Sequence, residues 1–323
     1  MIAIVIPFYQ KEAGLLRRAI ASVASQQGER DWHIYVVDDG SPVPAEDEIR
    51  DFPSDLTRRI QVLSQKNAGP GAARNFALDA MPTNIPAVAF LDSDDIWCPQ
   101  HLENVRTSLA AGADFYFADH RRDEDQETRF AQCGFRANGT RITASNANLR
   151  WCDAAMLFRA IIQRSPVGTS TVALRRSSIG NKRFLPSFRA AGEDSIFWLE
   201  LLTPDIRIAC GHDNEVQYGR GVSIFNHRSW GDARSVLTTL DQMRAQQYLR
   251  RNFKLDESLL AGSNAQCRNL DLAFCSAIIA CGRRMQLAAA LPAMAYARIR
   301  PLALMQLPRA VFRALQQHGA RAL

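Results

Sequence analysis

Phe90-Leu91-Asp92-Ser93-Asp94-Asp95 follows the apolar run Ala87-Val88-Ala89, and the junction between the two decides the fold. A short unbroken apolar run reads as a strand buried on both faces, the pattern of a parallel sheet covered by helices. Such a strand ends at the rim of the sheet, and here the rim carries three carboxylates in close succession. Charges this crowded repel one another unless a cation or a donor-rich ligand offsets them. Oxygen donors suit a hard divalent cation, Mn²⁺ or Mg²⁺, carrying substrate phosphates. The same residues also fit a solvated acidic turn in which Asp94 or Asp95 caps the next helix.

Outward from this junction, residues 2–7, 34–37 and 60–63 have the same buried-strand character, and 113–118 form a fifth strand. Leu15, Leu16, Ala19, Ile20 and Val23 recur at helical spacing within 12–27, and further helices are predicted over 72–81 and 99–111. Strands alternating with helices predict an α/β fold, Rossmann-like, with a mainly parallel central sheet flanked by helices. Residues 120–150 are polar without periodicity and read as loop, including the mixed-charge run 121–127. Residues 151–164 and 195–202 read as helices, 172–174 as a strand, and the chain after Gly231 as helical throughout.

The chain has 323 residues, 47% hydrophobic and 22% charged, which is the balance of a globular protein larger than one minimal core. Seven cysteines at irregular spacing, with no CxxC pair, predict reduced thiols and not a disulfide framework. The N-terminal apolar run has no basic region before it and no small-residue cleavage site, and no stretch reaches the ~18 apolar residues of a membrane span. These features predict a cytoplasmic protein. Its net charge of +6 is unevenly placed: seven arginines lie from Arg283 onward and no acid follows Asp271, which leaves residues 1–282 at −1. A basic tail on a nearly neutral body favours one segment meeting an anionic surface, and argues against a nucleic-acid partner.

In open α/β sheets, ligands bind beyond the carboxyl ends of the strands. Pro7-Phe8-Tyr9, Asp38-Asp39 and residues 92–95 end three early strands and converge on one crevice if the sheet is parallel. Gly69-Pro70-Gly71 lets the backbone pass close to a ligand, and Arg74 in the first turn of the following helix is placed for a phosphate. Glu193-Asp194 occupies a second loop-to-helix junction. There the pair reads either as first-turn acids favoured by the helix N-terminus or as a general base facing an acceptor hydroxyl.

Taken in order, Val5-Ile6-Pro7-Phe8-Tyr9, Val36-Val37-Asp38-Asp39-Gly40-Ser41, Asn67-Ala68-Gly69-Pro70-Gly71-Ala72-Ala73-Arg74-Asn75, Phe90-Leu91-Asp92-Ser93-Asp94-Asp95 and Gly192-Glu193-Asp194 resemble glycosyltransferase family 2 over roughly residues 1–225. The resemblance implies the GT-A fold, a nucleotide-sugar donor (a UDP-sugar) and transfer with inversion to a glycan or lipid-linked acceptor. It implies that Asp39 recognises the nucleobase, with Pro7 and Tyr9 lining its pocket and Glu12 near the ribose or base. Asp92 would sit by the ribose and, with Asp94, hold the divalent metal, while Arg74 holds the nucleotide. Asp194 would be the catalytic base, with Glu193 beside it. One segment departs from the family pattern: where many relatives carry a Tyr-Arg-x-His-type motif, this chain has Gln217-Tyr218-Gly219-Arg220-Gly221-Val222-Ser223. Arg220 or His227 would replace the missing histidine as a diphosphate contact. With Asn226 and Trp230, the segment resembles the branch that builds bacterial exopolysaccharides such as succinoglycan.

A metal-dependent nucleotidyltransferase would use the same acids, but it leaves Glu193-Asp194 without a task. A dinucleotide-dependent oxidoreductase fits Gly69-Pro70-Gly71 only superficially, because that motif does not follow the first strand. The expected organisation is a catalytic domain over 1–230, with a nucleotide-sugar half 1–118 and an acceptor half 119–230, followed by a helical region 231–323. Within the last, Pro308 can open a helix and Gly319 close it, with Arg309, Arg313 and Gln316 on one face. Such a helix reads either as resting on anionic lipid, which would place the protein peripherally on the inner face of the cytoplasmic membrane, or as packing on the catalytic domain with its arginines in water.

Overall fold

The four early apolar runs form strands β1 (Ile2–Phe8), β2 (Trp32–Asp38), β3 (Ile60–Ser64) and β4 (Ala87–Phe90), which pair in parallel in the order β3-β2-β1-β4. β1 is buried along its whole length, as a strand with helices over both faces must be. In this computed structural model residues 1–143, 146, 148–219 and 233–310 are described. They fall into two units, Met1–Ser187 with Glu193–Ser223 and Phe188–Gly192 with Ile224–Leu323.

The sheet of the first unit continues through β5 (Ile96–Trp97), β6 (Phe115–Arg122), β7 (Leu149–Cys152), β8 (Ala173–Arg175) and β9 (Ile208–Tyr218). Here the pairing changes. β8 runs antiparallel to both β4 and β6, and β9 runs parallel to β6 but antiparallel to β5 and β7. The expected parallel pairing holds through the first four strands and recurs between β6 and β9, and the sheet as a whole is mixed. Helices still separate the later strands in the chain, Arg129–Cys133 before β7 and Ala154–Arg164 before β8, but antiparallel neighbours do not require a crossover to pair.

Three local expectations change as well. β6 runs on to Arg122, into the charged stretch read as loop, and a short helix, Arg129–Cys133, follows it. Trp151 belongs to β7, and the helix expected from that point is Ala154–Arg164, capped by Asp153, whose carboxylate accepts a 2.8 Å hydrogen bond from the Met156 amide. β9 had no counterpart in the sequence reading. Its polar stretch hides the alternation of a strand, and its register against β6 slips around Asp119.

Helix Leu15–Ala24 starts at Gly14, which has no capping side chain of its own. Glu48 caps it from a distance, accepting from the Gly14 amide at 2.7 and 2.8 Å. Below the acidic turn lies an aromatic core. Phe90 meets Phe184 and Trp198, each at 5.6 Å between ring centroids, and Phe184 stacks on Phe197 at 4.0 Å. In the second unit, helices Ala233–Asn252, Glu257–Arg283 and Ala290–Ile299 surround a separate core in which Phe274 stacks on Tyr296 at 3.9 Å. Buried Asp241 ties the segment Phe188–Gly192, a run of bends, to this unit by accepting from the Arg189 and Ala190 amides, both at 2.9 Å.

Helix Pro70–Ala80 approaches the start of helix Glu193–Leu201 at Gly71, where a Cβ would lie 3.1 Å from Glu193 Cγ and 3.2 Å from Phe184 Cβ. Replacing glycine in a helix ordinarily gains roughly 0.5–1 kcal/mol, but overpacking costs about 1–3 kcal/mol. Gly71→Ala should therefore destabilise the protein on balance. A lower thermal midpoint is the expected outcome, and a raised one would mean the two helices part freely.

Candidate active site

β4 delivers the acidic turn to the sheet rim, and the fold then gives its three carboxylates different surroundings. The Asp92 amide donates to Ser170 Oγ at 2.9 Å, and Ser170 Oγ donates to Asp95 Oδ2 at 2.5 Å. The other oxygen of Asp95 accepts from the Gly219 amide at 2.9 Å. Asp95 is buried, and that burial, followed by the charges of Asp94 and Asp92, holds its carboxyl well above the usual range. It pins the turn to the 3₁₀ segment Thr169–Thr171 and to the end of β9. Asp92 and Asp94 remain partly exposed.

Arg74 is only 2% exposed. Its Nη2 donates to Asp92 Oδ1 at 2.6 Å and its Nη1 to Glu193 Oε1 at 3.1 Å, with the guanidinium over the Phe184 ring at 5.4 Å. Burial works against the cation, but Asp92 and Glu193 outweigh it and strengthen its hold on the proton. Its Nε has no hydrogen-bond partner among the described residues. One side chain thus joins the acids at the end of β4 to the acids at the start of helix Glu193–Leu201.

Those two acids are not equivalent. Glu193 is buried; burial first, and the charge of Asp194 second, push its carboxyl up to about 7 against the opposite pull of Arg74. Asp194 is partly exposed. Its Oδ2 accepts from Thr169 Oγ1 at 3.0 Å and its Oδ1 from the Ser195 amide at 2.6 Å. Neighbouring hydroxyls of one short turn therefore hold both acid groups, Thr169 the second and Ser170 the first.

At the end of β2, Asp38 accepts from the Ser41 amide at 2.7 Å and the Ala45 amide at 2.9 Å, shaping the turn. Asp39 accepts from Gln65 Nε2 and the Ala68 amide, both at 2.7 Å, and from the Gly69 amide at 2.8 Å. It organises the loop that leads into the Arg74 helix, where Gly69 has φ 94°. Pro7 is buried within β1 opposite Val37, whereas Tyr9 and Glu12 are exposed. The expected roles of Arg220, Asn226, His227 and Trp230 fall on residues outside those described.

The sequence reading missed Thr169, Ser170 and Tyr218 Oη, which accepts from the Ser170 amide at 3.4 Å. It also missed Glu215, fully buried in β9, which accepts from Asn104 Nδ2 at 2.7 Å and Tyr116 Oη at 2.6 Å and lies 2.7 Å from His101 Nδ1. No signal in Thr-Ser-Thr marks its hydroxyls. Glu215 carried a weak one, an acid next to an apolar residue near a Tyr.

No three His, Cys, Asp or Glu side chains among the described residues form a closed metal site. An open site is a different matter. Asp92 and Asp94 present carboxylate oxygens at the rim, one of them already taken by Arg74. Asp92 and Glu193 pair with the Arg74 guanidinium, with Asp194 beside them, and Asp94 and Asp92 raise the neighbouring Asp95 carboxyl. This excess of negative charge with few protein ligands fits a hard divalent cation that completes its shell with water and phosphate oxygens.

The sequence profile described as Glycosyl transferase family 2 matches residues 3–165. The succinoglycan biosynthesis protein ExoW of Rhizobium meliloti (strain 1021) is 34% identical over 227 residues, 70% of each chain. Among solved structures, residues 1–349 of S. aureus TarS in complex with UDP align with a TM-score of 0.54 at 16% identity, covering 98% of this chain and 91% of that one. The mannosyltransferase PcManGT from Pyrobaculum calidifontis, in complex with GDP-Man and Mn²⁺, aligns with a TM-score of 0.55 at 16% identity, covering 97% and 86%. These two likenesses bear on the fold, which is the GT-A arrangement expected.

Glu193 ionises less readily in the folded chain, at about 7, than at its ordinary value of 4.5. The folded state then holds the extra proton between those values, so this group makes stability fall as pH rises through that window. Glu193→Gln should flatten the fall by at most about 3 kcal/mol. Urea unfolding at the two ends of the window measures it, and an unchanged slope would locate the buried proton elsewhere.

Proposed function

This chain belongs to glycosyl transferase family 2, and we propose that it transfers a sugar, with inversion, from a UDP-sugar to a hydroxyl of a glycan or lipid-linked oligosaccharide in bacterial exopolysaccharide assembly. The likeness to a succinoglycan biosynthesis protein supports the exopolysaccharide branch, and the UDP complex of TarS supports the donor class. The observation that carries the reading is the Arg74 bridge from Asp92 to Glu193. It brings a donor-side acid group and an acceptor-side acid pair into one site.

In this reading the donor's base lies beyond β1 and β2, between Tyr9 and the Asp39 loop, with Glu12 nearby. Its diphosphate faces the N-terminus of helix Pro70–Ala80, where the helix dipole favours anions. A divalent cation held by Asp94 and Asp92 would supply Lewis-acid offset of the charge that builds on the departing diphosphate. Arg74 fixes Asp92 in place and adds a positive charge beneath it. Arg220 would add a further contact to the diphosphate.

Asp194 takes the proton of the acceptor hydroxyl. It is the more exposed of the pair, and Thr169 and the Ser195 amide fix its orientation. The hydroxyl oxygen then attacks the anomeric carbon from the face opposite the departing diphosphate, through an oxocarbenium-like state, and one displacement inverts the centre. Glu193, buried against Arg74, positions Asp194 and the acceptor. A lipid-linked acceptor would be met peripherally, at the cytoplasmic face of the membrane. Among the described residues no helix is long and apolar enough to cross a membrane.

Asp194→Asn should keep UDP affinity while transfer falls by ~10²–10⁴-fold; calorimetric UDP titration with a transfer assay separates the two, and near-normal turnover would mean another group is the base. Asp94→Ala should weaken UDP binding in Mn²⁺ and leave metal-free binding little changed. If the variant keeps the full Mn²⁺ enhancement, Asp94 is not a ligand.

A further inference from the structure

The second unit presents a surface that holds none of the residues placed in the candidate site above. Met285, Leu287, Leu291, Met294, Leu302 and Met305 are exposed by 86, 88, 75, 52, 71 and 72% respectively. Single exposed apolar side chains are ordinary, but this many large ones in one short segment are not. In helix Ala290–Ile299 the exposed Leu291, Met294 and Arg298 follow i, i+3, i+7 spacing, and Leu287 lies one turn earlier. Tyr296 and Ala293 point the other way, into the unit's own core. The outward stripe is therefore not a mispacked inner face.

Charge is equally one-sided. Arg283, Arg284, Arg298 and Arg309 are exposed, and no Asp or Glu follows Asp271. Asp271 is itself buried and held by Arg300 at 2.6 Å and by Tyr296 Oη at 3.1 Å, so it does not offset the exposed arginines. An apolar stripe edged only by arginines matches the boundary of an anionic bilayer, where long apolar side chains enter the acyl region and guanidinium groups meet lipid phosphates. A second copy of the chain is the poorer occupant. A twofold contact would set this segment against itself, arginine against arginine, with no acid in the segment to answer.

We propose that residues 283–309 dock the protein on anionic lipid, with Leu287, Leu291, Met294, Leu302 and Met305 inserted and Arg283, Arg284, Arg298 and Arg309 on the headgroups. This deepens the membrane-side reading above and rests on it for its purpose. It also moves the contact upstream of the helix expected over 308–319, most of which lies outside the described residues.

The test is flotation of the full chain with vesicles of phosphatidylcholine containing about 30 mol % phosphatidylglycerol, and with phosphatidylcholine alone. Binding should require the anionic lipid. It should fall by at least about tenfold in Leu291→Glu/Met294→Glu and, independently, in Arg283→Glu/Arg284→Glu. UDP binding, measured on the same samples, should be unchanged in both variants. Vesicle binding that is absent, indifferent to phosphatidylglycerol or unaltered by both variants overturns the docking surface, as does wild-type self-association abolished by Leu291→Glu/Met294→Glu. Wild-type protein that floats but binds no UDP would strike the donor reading and leave this proposal standing.

Discussion

A guanidinium almost without water, held between two carboxylates from distant parts of the chain, is the constraint on which the rest of the first unit depends. Removing an arginine from water is costly, and a buried ion pair seldom repays that cost in stability alone. Keeping Arg74 in place takes a set of further features. Asp39 holds the loop that starts its helix, and Asn75 exchanges hydrogen bonds with the Phe184 backbone at 2.8 and 2.9 Å. Gly71 gives up a side chain so that the helix can lie against Glu193. Such support for a costly interaction fits a residue that sets the geometry between two acid groups better than one that serves only stability.

The acids then divide by environment and not by type. Asp95 and Asp92 lie three residues apart, yet one is sealed by Ser170 and Gly219 while the other reaches the rim. Glu193 and Asp194 are adjacent, yet one is buried against a cation and the other is partly exposed under a threonine hydroxyl. The turn Thr169–Thr171 enforces both divisions, because successive side chains of so tight a turn point to different sides. A site with one sealed and one reachable acid at each end can hold charge in two places without every carboxylate being free to follow the ligand.

How much of this was legible depended on where each residue finds its partners. β1 to β4 were plain, because a strand buried on both faces must be apolar throughout. The site acids were plain as pairs, and their order along the chain carried the family resemblance. β9 was hidden because its buried acid finds its partners far away: Glu215 accepts from Asn104 and Tyr116 and lies against His101, all about a hundred residues earlier. Ser170 and Thr169 were illegible for the same reason, since a hydroxyl declares no role until its acceptor is known. Asp39 was legible as an acid at a strand end, but its acceptance of the Ala68 and Gly69 amides, which shapes the loop, was not.

The second unit follows the opposite logic. The first gathers negative charge inward around one cation, so a ligand that brings positive charge is favoured there. The second uses its last acid internally, on Arg300 and Tyr296, and the segment that follows Asp271 carries no charged side chain but arginine. Apolar side chains beside uncompensated arginines are a poor surface for water, because neither hydration nor like-charge repulsion covers the methyl and methylene groups between them. They are a good surface for a medium that is anionic at its edge and hydrocarbon below. In the readings proposed above, the acids of the first unit would meet a cation-bound diphosphate and the arginines of the second would meet lipid phosphates.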